Sequence, residues 1–75
     1  MNMDSKISNV LIKVNGEDKL IPQNTTILKL LELFKLNQGR VVMELNNQVL
    51  RKEFCNSTLL KQNDKLEIVT FVGGG

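Results

Sequence analysis

Residues 27–35 read ILKLLELFK, and their apolar side chains recur with the period of a helix. Positions i, i+3, i+4 and i+7 of this stretch form one stripe along a helix, and they are Ile27, Leu30, Leu31 and Phe34. The pattern predicts an amphipathic helix with one buried face. A threonine at position 25 or 26 is expected to cap its start, and Gly39 is expected to close its end in the left-handed conformation.

On both sides of this helix the sequence alternates between apolar and polar residues, as expected of strands with one buried face. Strands are predicted at residues 10–14, 19–21, 40–46, 48–50 and 65–72. Turns between them are marked by asparagine-containing pairs that tolerate positive φ: Asn15-Gly16, Asn46-Asn47 and Asn63-Asp64. One helix with four to five strands predicts an α+β fold in which a sheet packs on one face against that helix.

The length of 75 residues is enough for one small domain and for no second lobe. The hydrophobic fraction of 41% and the charged fraction of 24% exclude a disordered, collagen-like or membrane protein. We predict a folded domain at residues 7–72, a flexible lead at residues 1–6 and a flexible tail at residues 73–75. The sequence contains neither a signal peptide nor a membrane span, so a cytoplasmic location is expected.

The charged and catalytic side chains exclude several classes of function. The net charge of +2 is dispersed along the chain, whereas a nucleic-acid interface needs a concentrated basic face. With one cysteine and no histidine, the chain can form neither an internal disulfide nor a zinc site, and no catalytic set is complete. Cys55 could accept a persulfide, but a buried hydrophobic role is the more common one for a free cysteine.

Three glycines, Gly73, Gly74 and Gly75, follow the last predicted strand. They form a tether of about 10 Å at full extension that ends in a carboxylate with no side chain beside it. One interpretation is a loose terminus. The other is a carboxylate that is presented to the active site of a partner, which must activate it as a mixed anhydride before a nucleophile can replace it.

The last strand also predicts an exposed apolar surface. If Leu66 and Ile68 face the helix, Val69 and Phe71 point to the opposite face of the sheet, and Leu11 has the same parity in the first strand. Such residues are either isolated exposed side chains or a docking patch beside the tail.

Two stretches carry a resemblance to a known family. Residues 42–50 read VMELNNQVL and residues 63–75 read NDKLEIVTFVGGG, with TILKLLE at the start of the helix. At this length and in this order they resemble the ThiS family of sulfur carriers in thiamine biosynthesis. The resemblance implies a ubiquitin-like β-grasp fold, with a mixed sheet packed on one helix and a flexible Gly-Gly tail.

The resemblance also implies a function and partners. An E1-like, ThiF-like adenylyltransferase adenylates the carboxylate of Gly75, and a sulfur donor such as a cysteine desulfurase supplies the sulfur of a thiocarboxylate. A ThiG-like thiazole synthase then receives that sulfur. Gly73 and Gly74 provide reach, and Val69, Phe71 and Leu11 form the docking surface. The carrier catalyses nothing and binds no cofactor, because ATP and magnesium belong to the site of the partner.

Three alternatives share the fold. The small subunit of molybdopterin synthase has a similar tail, but the NNQ turn and the FVGGG ending favour the thiamine carrier. A protein-conjugating ubiquitin-like modifier would use the same activated carboxylate on a lysine. A plain β-grasp interaction domain would not need the tail.

Overall fold

A computed structural model describes residues 8–71, which form one mixed five-stranded sheet and one α-helix. The elements are β1 (Asn9–Val14), β2 (Glu17–Pro22), α1 (Ile27–Leu33), β3 (Val41–Leu45), β4 (Gln48–Leu50) and β5 (Lys65–Thr70), with 3-10 turns at Gln38–Arg40 and Lys52–Phe54. The strand order is β2-β1-β5-β3-β4. Among the strand pairs of residues 8–71, β1–β5 is the only parallel one. The predicted α+β architecture is confirmed, whereas the lead at residues 1–6 and the tail at residues 73–75 lie outside the described residues.

The two hairpins depend on residues with positive φ. Asn15 and Gly16 have φ of 50° and 84°, and Asn46 and Asn47 have φ of 54° and 72°. Two consecutive positive values define the type I′ turn, whose twist matches that of the strands it joins. Both predicted hairpin turns are therefore confirmed.

The core lies between the sheet and α1. The helix contributes three fully buried residues, Ile27, Leu30 and Leu31, as its apolar period predicts. The alternate residues of the strands meet them from the sheet, and they are Ile12, Val14, Ile21, Val41, Met43, Leu66 and Ile68. Cys55 and Leu60 complete this core from the loop before β5. Since each strand has one buried face, the other face of the sheet remains open.

The ends of α1 show which cap signals operate. The Thr26 hydroxyl oxygen accepts a hydrogen bond from the Lys29 amide at 3.0 Å and caps the start. The end lies at Leu33, where Lys35 takes the left-handed conformation with φ of 61°. The Leu36 amide donates to the Leu31 carbonyl at 2.8 Å and thereby closes a Schellman motif. The prediction that Gly39 closes the helix is therefore wrong, because half-buried Leu36 packs back on the core and ends the helix earlier.

β5 is shorter than predicted and is held by two asparagine side chains. It ends at Thr70, and Val72 lies outside the described residues. The Asn15 side chain donates to the Ile68 carbonyl at 3.1 Å and accepts from the Ile68 amide at 2.7 Å. On the other edge, the Asn46 side chain accepts from the Lys65 amide at 2.9 Å and donates to buried Asp64 at 3.0 Å. Both hairpin turns are thus fixed to the central strand.

We expect Asn15→Gly to lower the free energy of unfolding by about 1–3 kcal/mol, because it removes both hydrogen bonds to Ile68. Glycine keeps the positive φ, so backbone strain does not contribute. The matched control is Asn47→Gly, which also replaces an exposed asparagine with positive φ, but one whose side chain makes no hydrogen bond within residues 8–71. The control should change the free energy by less than about 0.5 kcal/mol. Equal losses in urea unfolding of the two variants would contradict the role of the Asn15 side chain.

Candidate functional site

The open face of the sheet carries apolar side chains at the point where the chain leaves the fold. Val69 is 62% exposed and Phe71 is 52% exposed, as the parity of the last strand predicts. The Phe71 amide donates to the Arg40 carbonyl at 2.8 Å, so pairing next to β3 continues through this residue. Val42, 43% exposed, lies directly opposite Val69 on β3. We call these three residues, Val42, Val69 and Phe71, the exit patch.

Leu11 lies elsewhere on the same face. Its neighbour across the hairpin is exposed Leu20, and its carbonyl accepts from the Asn63 amide at 2.7 Å. Because Lys13 pairs with Lys65, Leu11 lies roughly 20 Å from Val69 at about 3.3 Å per residue along the strands. The structure therefore brings Val69 and Phe71 together but separates Leu11 from them. The docking role of all three stays a prediction.

Sequence reasoning did not single out Val42, whereas it placed Glu44 and Glu67 on outward faces and interpreted them as solvated side chains rather than as a catalytic pair. Val42 has outward parity between buried Val41 and Met43, so alternation alone could have indicated it. Glu44 and Glu67 lie directly opposite each other on the open face, next to the Val42–Val69 pair. Like charges that face each other across strands are unfavourable, so folding does not account for this pair. The exit patch is therefore apolar with an acidic border.

Cys55 belongs to the core. Its side chain is fully buried, and its carbonyl accepts from the Leu28 amide at 3.0 Å. Burial raises the pKa of the Cys55 thiol, and the positive charge of Lys52 opposes that rise only in part. A protonated thiol without access to solvent is a poor nucleophile. The position therefore favours a structural role for Cys55 over that of a persulfide acceptor.

Within residues 8–71, no group of three or more His, Cys, Asp or Glu residues is placed to hold a metal ion. None of the helices in this range is long and apolar enough to cross a membrane. Within residues 8–71 the arrangement offers a strand hydrogen-bonded to both neighbours and an apolar patch at its end.

We expect the exit patch to contribute little to stability. Val69→Ala and Phe71→Ala should each lower the free energy of unfolding by less than about 1 kcal/mol, because both side chains are largely exposed. The control Ile68→Ala, on the buried face of the same strand, should cost about 2–5 kcal/mol. Urea unfolding measures all three. A loss at Phe71 as large as that at Ile68 would place Phe71 in the core.

Comparisons with known proteins agree on one family. The sequence matches the ThiS family over residues 6–75. A protein of Pyropia yezoensis named uncharacterized protein ycf40 is 40% identical over 68 residues, which are 91% of this chain and 96% of that one. The sulfur carrier protein ThiS of Bacillus subtilis is 36% identical over 66 residues, which are 87% of this chain and 100% of that protein.

A solved structure and a longer relative extend this result. The crystal structure of the thiamine biosynthesis protein ThiS from Geobacter metallireducens superposes with a TM-score of 0.74 at 32% identity, covering 88% of this chain and 100% of the other. This match confirms the ubiquitin-like β-grasp fold. A thiazole synthase of Paramagnetospirillum magneticum is 32% identical over 62 residues, which are 83% of this chain but 19% of that protein. The chain therefore belongs to the ThiS family of sulfur carriers in thiamine biosynthesis.

Proposed function

We propose that this chain carries sulfur as a thiocarboxylate on Gly75 and delivers it to a thiazole synthase. The observation that carries the proposal is that the glycine tail follows closely after the exit patch in the sequence. β5 is fixed on both edges up to Ile68, and three glycines follow two residues after exposed Phe71. A rigid strand that ends in glycines suits a terminal carboxylate that has to enter a narrow active site, because no Cβ obstructs it.

The proposed chemistry begins with activation of the carboxylate. An oxygen of the Gly75 carboxylate attacks the α-phosphorus of ATP, pyrophosphate leaves, and the acyl adenylate forms. The sulfur of a persulfide donor, such as a cysteine desulfurase, then adds to the carbonyl carbon and AMP leaves. A thiol reduces the resulting acyl disulfide and releases the thiocarboxylate. We propose that ATP and magnesium are bound by an E1-like adenylyltransferase, and the finding that no metal-holding group of His, Cys, Asp or Glu residues occurs within residues 8–71 is consistent with this assignment.

The identity of the receiving partner rests on a relative. A thiazole synthase of Paramagnetospirillum magneticum contains a segment similar to this chain. When a carrier-like segment occurs within the same protein as the acceptor, this supports direct binding between the two where they are separate proteins. We therefore propose thiazole synthase as the acceptor. The family membership favours this route over the molybdopterin subunit and over a protein-conjugating modifier.

The thiocarboxylate is tested by intact mass after incubation with the adenylyltransferase, ATP, a cysteine desulfurase and cysteine. We expect a gain of about 16 Da, which corresponds to the exchange of one oxygen for sulfur. A thiol-reactive alkylating agent should convert this species into a stable adduct of higher mass. Cys55 should not compete for the reagent in the folded protein because it is buried. A variant that lacks Gly75 should fold and remain unmodified. An isopeptide adduct instead of the mass gain would identify a modifier.

The docking role of the exit patch is tested by the rate of adenylation. Phe71→Ala should lower kcat/KM for the carrier about tenfold or more, as expected of a large side chain at the centre of an interface. The control is Val49→Ala, since Val49 is an apolar residue of the open face that is even more exposed than Phe71 but lies on β4 at the sheet edge. The control should change kcat/KM less than twofold. Equal effects of the two variants would remove the exit patch from the interface.

A further inference from the structure

The central strand has an unpaired edge at its end. β1 and β5 run side by side and in parallel, but β1 ends at Val14 while β5 continues to Thr70. The chain turns away at Asn15 and Gly16 towards β2, on the far side of β1. The Asn15 side chain substitutes for the missing strand as far as Ile68. Within the described residues, hydrogen bonding on this edge stops there.

The alternating direction of backbone N–H and C=O groups along β5 shows which of them are left without a partner on the β1 edge. The residues of β5 that bond towards β1 are Leu66 and Ile68, whereas Lys65 and Phe71 bond towards β3. Successive residues of a strand direct their N–H and C=O groups to opposite edges. The N–H and C=O groups of Thr70 therefore point to the edge that β1 leaves open.

A groove of about 580 Å³ lies along this open edge, on the helix side of the sheet. Phe34 and Leu36, at the end of α1, form its apolar floor together with Ile68. Glu17 and Lys19 are charged residues of its rim, with a distance of 3.6 Å between the Glu17 carboxylate and Lys19 Nζ. A residue paired with Thr70 could direct an apolar side chain towards that floor, because the side chains of a strand alternate between the two faces of the sheet.

We propose that this open edge and its groove form a β-augmentation site for an extended segment of thiazole synthase. Unpaired backbone N–H and C=O groups beside an apolar groove are suited to bind an extended peptide. Hydrogen bonds to the peptide backbone give affinity, and the groove gives specificity for its side chains. Thiazole synthase is chosen because one such enzyme contains a segment similar to this chain. The inference rests on the proposed function and adds to it where the acceptor binds.

The outer edges of the sheet fit this role less well. β4 has only three residues, and β2 begins with Glu17-Asp18-Lys19 and ends with Pro22. Short strands, charges and proline are the features that keep edges from pairing with other chains. β5 has six residues and no proline, and the two charged residues on the rim of its open edge, Glu17 and Lys19, pair with each other at 3.6 Å.

The test replaces a single backbone amide with an ester, which is practical in a 75-residue chain made by chemical synthesis. The ester at Thr70 removes the N–H group but keeps every side chain. The matched control is an ester at Val49, whose N–H also points away from β3 by the same alternation, but on the β4 edge. Neither N–H serves the fold, but each ester also weakens the preceding carbonyl, that of Val69 or Gln48, as an acceptor of a hydrogen bond from β3. Both variants should therefore unfold at a slightly lower urea concentration than the unmodified chain, and by a similar amount.

Binding to the thiazole synthase of the same organism is measured by titration calorimetry. The Thr70 ester should raise Kd about threefold to tenfold, as expected for the loss of one hydrogen bond. The Val49 ester should change Kd less than twofold. Amide hydrogen exchange adds a direct reading: the Thr70 amide should exchange at least tenfold more slowly in the complex, and the Val49 amide should not change.

The outcomes separate this inference from the proposed function. Formation of the thiocarboxylate and binding of thiazole synthase, with equal Kd for the two esters and an unprotected Thr70 amide, overturn the augmentation site and leave the carrier function intact. If the unmodified chain does not bind thiazole synthase, both fail. A raised Kd for the Thr70 ester alone, together with protection of its amide, supports the site.

Discussion

β5 is hydrogen-bonded along both of its edges as far as Ile68, and the other strands of the sheet are arranged around it. On one edge the Asn15 side chain continues the pairing that β1 begins, and on the other edge Asn46 and β3 do the same. Leu66, in the same strand, is fully buried under α1. A strand at the centre of a small sheet is among the last to open locally, because its exchange requires the neighbouring strands to separate. The residues after Thr70 therefore follow a strand that is among the last to open.

Strand parity separates stability from recognition within β5. Leu66 and Ile68 face the helix and supply buried area, whereas Glu67 and Val69 face solvent and supply little. Removing apolar area from water contributes about 25 cal/mol per Å², so the exposed residues can change in evolution at small cost to folding. The exit patch and its acidic border thus lie where their composition is free to match a partner. The same reasoning explains why two glutamates can face each other although folding disfavours the pair.

Local signals in the sequence were sufficient to predict the elements. The stripe formed by Ile27, Leu30 and Leu31 predicted the helix, and the asparagine pairs predicted the hairpins, because both depend on neighbours within a few residues. Contacts between distant residues were not predictable in this way. The bond between Asn15 and Ile68 joins residues 53 positions apart, and the pairing of Lys13 with Lys65 separates Leu11 from Val69. Parity gives the face of a strand but not its register, so the exit patch was predicted without Val42 and with Leu11 added.

The two proposed docking surfaces flank the end of β5 on opposite faces of the sheet. The exit patch lies on the open face, and the groove lies on the helix side beside Thr70. Ordering a glycine tail in an active site costs about 1–2 kcal/mol per residue, so each partner needs an anchor close to the tail to offset that cost. An anchor within reach also makes the entry of the tail an intramolecular step with a high effective concentration. Because the two proposed anchors share no residues but serve one carboxylate, an adenylyltransferase and a thiazole synthase would have to use the tail in succession, in the order that the sulfur chemistry requires.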